Sequence, residues 1–72
     1  MTNTLSRIVF INGIEYEYKR EVSLYNILLY LGFSLETILI DYNGTIISSN
    51  KLTSVYIKPN DRLEIITLAG GG

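Results

Sequence analysis

Residues 7–18, RIVFINGIEYEY, carry two β-type runs around Asn12-Gly13. Asn-Gly between such runs predicts a hairpin, because a type I′ turn needs positive φ at both central residues. In the second run Ile14, Tyr16 and Tyr18 alternate with Glu15 and Glu17, so one face is buried and one is wet. The pattern then switches to helical spacing. In SLYNILLYLG at 23–32, Leu24, Ile27, Leu28 and Leu31 fall at i, i+3, i+4 and i+7 and form one apolar stripe. Ser23 is the expected N-cap and Gly32 the residue just past the C-cap. TILIDYNGTIIS at 37–48 reads as a third strand, a turn at Asn43-Gly44 and a short fourth strand. The stretch that follows is irregular, with room for one helical turn. Pro59-Asn60-Asp61 forms a turn, and RLEIITL at 62–68 is the last strand.

Strand, strand, helix, strand, strand and a final strand give a two-layer α+β fold, a mixed sheet of four to five strands packed on one helix. The chain is expected to be one domain, residues 1–72. Strands 1 and 5 are predicted to be adjacent and parallel, because central strands are buried on both faces. The expected core is Val9, Ile11, Leu24, Ile27, Leu28, Leu31, Ile38, Ile40, Leu63 and Ile65. Three strands are apolar on both sides. Ile8 and Phe10 oppose Val9 and Ile11, Leu39 opposes Ile38 and Ile40, and Ile66 and Leu68 oppose Leu63 and Ile65. One helix shields only one side. Either the loop at 49–58 folds over the second face, or that face is a surface for a partner.

Composition excludes much chemistry. The 72 residues contain no cysteine and no histidine, which removes disulfides, thiolate ligands and the commonest general base. No metal site is expected. The net charge of −1 comes without a basic patch, so no nucleic-acid partner is expected. No apolar run approaches the ~20 residues that span a membrane, and MTNTLSR has neither a signal-peptide core nor an Arg-rich transit pattern. Glu15 and Glu17 share a strand face, and such alternation reads as a solvated face before an acid/base pair. Eleven Ile, six Asn and six Tyr against one Ala and one Pro indicate an A/T-biased genome, such as a plastid or an A/T-rich bacterium.

The C-terminus is different. Three of the six glycines are the last three residues, directly after the last strand. Ala69, Gly70, Gly71 and Gly72 are expected to form a flexible tail rooted in that strand. Fully extended they reach about 14 Å, at ~3.5 Å per residue. A chain without side chains threads a narrow channel, and the group it delivers is the α-carboxylate of Gly72. With no β-carbon beside it, an enzyme can approach that carboxylate from either face. It reacts only after activation, typically as an acyl-adenylate.

A small domain of this strand order ending in Gly-Gly resembles the ubiquitin-like β-grasp superfamily. ILIDYNGTIISSNKLTSVYIKPNDRLEIITLAGGG resembles the ThiS sulfur carriers of thiamine biosynthesis more closely. INGIEYE and the helix with LLYLG fit the same family, so the likeness runs from about Ile8 to the end. Three departures stand out. The family's usual Gly-Asp turn is Asn60-Asp61 here, the loop has Leu52 and Tyr56 where a Trp is often found, and the N-terminus is longer than in the shortest members.

The resemblance implies a carrier that is not itself an enzyme and binds no cofactor. A ThiF-like adenylyltransferase would use ATP to activate Gly72. A cysteine desulfurase or rhodanese-type donor would supply sulfur, and ThiG-like thiazole synthase would consume the thiocarboxylate. With no cysteine, any sulfur carried must sit on the terminal acyl group. Phe10, Ile66 and Leu68 are expected to project from the open face near the root of the tail and to contact partners together with Ala69, Gly70 and Gly71. The free protein is expected to be a monomer, in a bacterial cytoplasm or, if plastid-encoded, in the stroma. A MoaD-like small subunit of molybdopterin synthase, a ubiquitin-like modifier and a plain interaction module are the alternatives.

Overall fold

The computed structural model describes residues 7–68. Five strands form one sheet: β1 Arg7–Ile11, β2 Ile14–Tyr18, β3 Ile38–Tyr42, β4 Thr45–Ile47 and β5 Arg62–Thr67. Their order is β2-β1-β5-β3-β4. β1 and β5 are parallel and central, as expected, and the other neighbours are antiparallel. The helix α1, Leu24–Tyr30, covers one face. This is the mixed-sheet, one-helix β-grasp architecture.

Local chemistry sets each element. Asn12 and Gly13 have φ of 52° and 82°, and Asn43 and Gly44 have 50° and 93°. Both hairpins therefore close through two residues in the left-handed region, which matches the twist of the flanking strands. Ser23 caps α1, its Oγ accepting the Asn26 N–H at 3.1 Å. At the other end Gly32, at φ 90°, reverses the chain. Gly32 N–H donates to Leu29 O and Phe33 N–H to Leu28 O, each at 3.0 Å. This is the Schellman arrangement, which satisfies carbonyls that a helix end otherwise leaves open.

The core holds Val9, Ile11, Leu24, Ile27, Leu28, Ile40, Leu52, Ile57, Leu63 and Ile65. Leu31 and Ile38, expected inside, are only partly buried beside it. Leu31 is already the C-cap, and Ile38 opens β3 at the sheet margin. Leu52 and Ile57 take their places. The segment that carries them, after a single 3₁₀ turn at Ser49–Lys51, is tied to the start of α1. Leu24 N–H donates to Val55 O at 2.8 Å, Tyr25 N–H to Leu52 O at 3.1 Å, and Ile57 N–H to Val22 O at 2.9 Å. The first helical N–H groups have no partner within a helix, so an irregular segment that offers carbonyls there is drawn in. The loop thus closes the helix side of the sheet and leaves the opposite face open.

Asp61 locks the turn before β5. It is 8% exposed. Its carboxylate accepts from Tyr42 Oη at 2.5 Å, Lys58 N at 2.7 Å and Asn43 Nδ2 at 3.0 Å. Asn60, at φ 71°, supplies the left-handed residue of that turn, so the Asn60-Asp61 departure leaves the turn intact.

Candidate functional site

The candidate site is the end of β5 and the sheet face beside it. Ala69, Gly70, Gly71 and Gly72 lie outside the described residues, so the site is read from the residues that root them. Thr67 stands opposite Ile38 in the antiparallel ladder. Leu68 N–H donates to Thr37 O at 2.7 Å. Chain is therefore fixed to the sheet up to the residue before Ala69, and the direction in which β5 points is set by β3.

Alternation places Phe10, Arg62, Glu64, Ile66 and Leu68 on the face away from α1, with Leu39 and Asp41 of β3 and Ile46 of β4. Ile66 and Leu39 are direct cross-strand partners, 47% and 40% exposed. Leu68 is 43% exposed and Ile46 55%. These four residues form an apolar quarter of the open face, adjoining the root of the tail. Leu39 and Ile46 also line a groove of about 430 Å³ that runs over the β3–β4 margin to Leu35.

Phe10 is on this face but not in this quarter. It pairs with Arg62, and Ile66 lies four residues farther along β5. At ~3.3 Å per residue the two are separated by about 13 Å along the strand. The Arg62 guanidinium stands 5.8 Å from the centre of the Phe10 ring. Phe10 therefore belongs to a mixed, partly charged end with Arg62, Glu64 and Glu15, and its expected place near the tail root is corrected. Ile46 was missed because its face follows only from the hairpin register: a two-residue turn at Asn43-Gly44 sets Ile46 opposite Asp41, on the open side. That signal is present in the Asn-Gly spacing.

Charge chemistry concentrates elsewhere. Burial, then the hydrogen bond to Asp61 and its charge, push Tyr42 up to about 12. Burial alone would raise Asp61, but hydrogen bonds from Tyr42, Lys58 N–H and Asn43 outweigh it and hold the carboxyl below its ordinary value. Tyr18 is raised by burial and by the charge of Asp61. Asp61 and Tyr42 brace the turn into β5 through these hydrogen bonds. Among the described residues no group of His, Cys, Asp and Glu could hold a metal ion. No helix there is long and apolar enough to cross a membrane.

The model of the ThiS family matches residues 9–72. An uncharacterized protein named ycf40 from Trieres chinensis is 33% identical over 67 residues, covering 93% of this chain and 92% of its own. A protein of the same name from Porphyra purpurea is 40% identical over 62 residues, covering 86% and 87%. Among solved structures, the crystal structure of the thiamine biosynthesis protein ThiS from Geobacter metallireducens superposes with a TM-score of 0.77 at 19% identity, over 90% of this chain and 99% of that one. The solution structure of a thiamine biosynthesis protein from the same organism gives 0.73 at 19% identity, over 90% and 87%.

Proposed function

The chain belongs to the ThiS family, and from that premise we propose that it carries sulfur on the α-carboxylate of Gly72. Family membership supports a sulfur-carrier role, in a family of small carriers that are generally not catalytic. The observation that carries the proposal is that the family match runs to Gly72 itself, in a protein with no cysteine to carry sulfur in any other way.

In the proposed sequence a carboxylate oxygen of Gly72 attacks the α-phosphorus of ATP within a ThiF-like adenylyltransferase, and pyrophosphate leaves. The terminal sulfur of a persulfide, carried on a cysteine of a cysteine desulfurase or a rhodanese-type donor, then attacks the acyl carbon and displaces AMP. A second thiolate attacks the donor-side sulfur of the acyl disulfide, breaking the S–S bond to release the thiocarboxylate and leave a disulfide on the donor. The resulting thiocarboxylate gives its sulfur to a ThiG-like thiazole synthase. This chain supplies no acid, base or metal to these steps. It supplies a reactive end within about 14 Å of a docked body, because β5 is bonded to β3 as far as Leu68. Docking falls to Ile66 and Leu68 with Leu39 and Ile46, which adjoin the strand end and lose apolar surface to water-free contact. Relatives named ycf40 in algae, with the A/T-biased composition, favour the plastid stroma as the compartment.

The test is an intact mass. The protein is incubated with ATP, the adenylyltransferase and a sulfur donor. The expected product has one terminal oxygen replaced by sulfur, and a chain lacking Gly71 and Gly72 remains unchanged. Equal sulfur gain by the truncated chain refutes the proposal.

A further inference from the structure

β5 is longer than the strand beside it. β1 pairs with β5 only at Phe10–Arg62 and Ile11–Leu63, then turns away at Asn12-Gly13. The last bonds across this flank are Asn12 N–H to Leu63 O at 2.8 Å and Ile65 N–H to Asn12 Oδ1 at 2.7 Å. Backbone groups of a strand point alternately to its two flanks. The bonds from Asn43 N–H to Arg62 O and from Leu68 N–H to Thr37 O assign the even-numbered residues of β5 to β3. The odd-numbered residues therefore face β1. Beyond Asn12 the Ile65 carbonyl and both backbone groups of Thr67 have no partner among the described residues.

A row of open backbone groups on one flank of a strand is satisfied by another extended backbone. The outer edges of this sheet are poor templates for that. β2 alternates Glu15 and Glu17 with its apolar residues, and β4 has three residues. The inner flank at Ile65–Thr67 carries no charged side chain, and the half-exposed Ile66 and Leu68 stand beside it.

We propose that this flank of β5, Ile65–Thr67, receives a β-strand of the enzyme that adenylates Gly72. The inference rests on the sulfur-carrier reading. The occupant follows from reach: only Ala69–Gly72 separate Leu68 from the terminal carboxylate, about 14 Å when extended. A strand hydrogen-bonded at Thr67 thus belongs to a protein that closes on Gly72, and in the proposed sequence the adenylating enzyme is the first to do so and the one that meets the free carboxylate. Main-chain bonds there fix the register of the tail, and the apolar quarter of the open face adds contact area. Neither recognition element depends on the sequence of the tail.

Amide hydrogen exchange on the full-length protein, alone and with the adenylyltransferase, tests this. Leu68 N–H is expected to be protected in both states. Thr67 N–H is expected to exchange freely in the free protein and to slow by about tenfold or more in the complex, as a new hydrogen bond requires. Thr67→Pro removes a donor that β3 does not use. It is expected to keep the circular dichroism spectrum and Leu68 protection while raising Kd for the enzyme by about tenfold or more. If this variant unfolds, exchange in the wild-type complex decides. Thr67 N–H that stays fast in a complex that adenylates Gly72 normally overturns the strand proposal and leaves the carrier reading standing. A wild-type chain that is never adenylated overturns both. Thr67 protection that grows with protein concentration without the enzyme gives the flank to a second copy of this chain and overturns the proposal.

Discussion

Asn12 and Asn43 hold β5 from opposite sides. Asn12 Oδ1 accepts the Ile65 N–H at 2.7 Å, and Asn43 Oδ1 accepts the Arg62 N–H at 2.7 Å. Each is the first residue of a hairpin turn, and each reaches out of its own hairpin to the strand that leads to the tail. The same residue type thus shapes the turn and anchors β5.

Replacing either with glycine keeps the positive φ and removes only the side-chain bonds. Asn12→Gly is expected to cost about 1 kcal/mol, the net worth of one hydrogen bond plus some backbone entropy. Asn43→Gly should cost more, because Asn43 also donates to Asp61. Urea unfolding monitored by circular dichroism checks both the size and the order.

The Asp61–Tyr42 pair predicts losses of stability at both ends of the pH range. Asp61 is lowered from 3.8 in the folded state, so its contribution is complete above that value and is lost as pH falls through the lower folded value. Tyr42 is raised from 10.0 to about 12, so its contribution is complete below pH 10.0 and is lost as pH rises towards 12. Tyr42→Phe should flatten the alkaline limb of the stability profile. An alkaline limb unchanged by Tyr42→Phe would show that another group controls it.

Leu52 is 1% exposed although it lies in an irregular segment. Leu52→Ala is expected to destabilise the protein by about 2–5 kcal/mol, in the range of helix-core truncations such as Leu24→Ala. Denaturant midpoints of the two variants compare them directly. A surface-like cost near zero would mean that the segment does not seal the core.

Ile66→Asp should leave the fold and melting temperature little changed, because Ile66 is 47% exposed. It should weaken binding to the adenylyltransferase or thiazole synthase on the order of a hundredfold, since an ion would enter a desolvated contact. Phe10→Asp, at the far end of the face, should weaken binding much less. Titration calorimetry of the three proteins decides, and equal losses for both variants would reject the division of the face.

Residues within seven positions of one another were enough to determine the hairpins, the helix and its two ends, because Asn-Gly turns, a Ser cap and a Gly terminus act through local dihedral angles and local hydrogen bonds. The doubly apolar pattern of β1, β3 and β5 likewise marked the strands that the fold makes central, since only burial on both faces rewards it. Tertiary structure alone decided the rest. Leu52 and Ile57 have no periodicity to announce them; they are buried because the first N–H groups of α1 need carbonyls and take those of Val55 and Leu52. Phe10 and Ile66 share a face by alternation, yet the parallel register sets Phe10 beside Arg62 and leaves Ile66 beyond the end of β1. Alternation assigns a side chain to a face. Its neighbours there depend on how two strands distant in the chain are offset, and that offset is fixed by bonds such as those of Asn12, which form only once the strands have met.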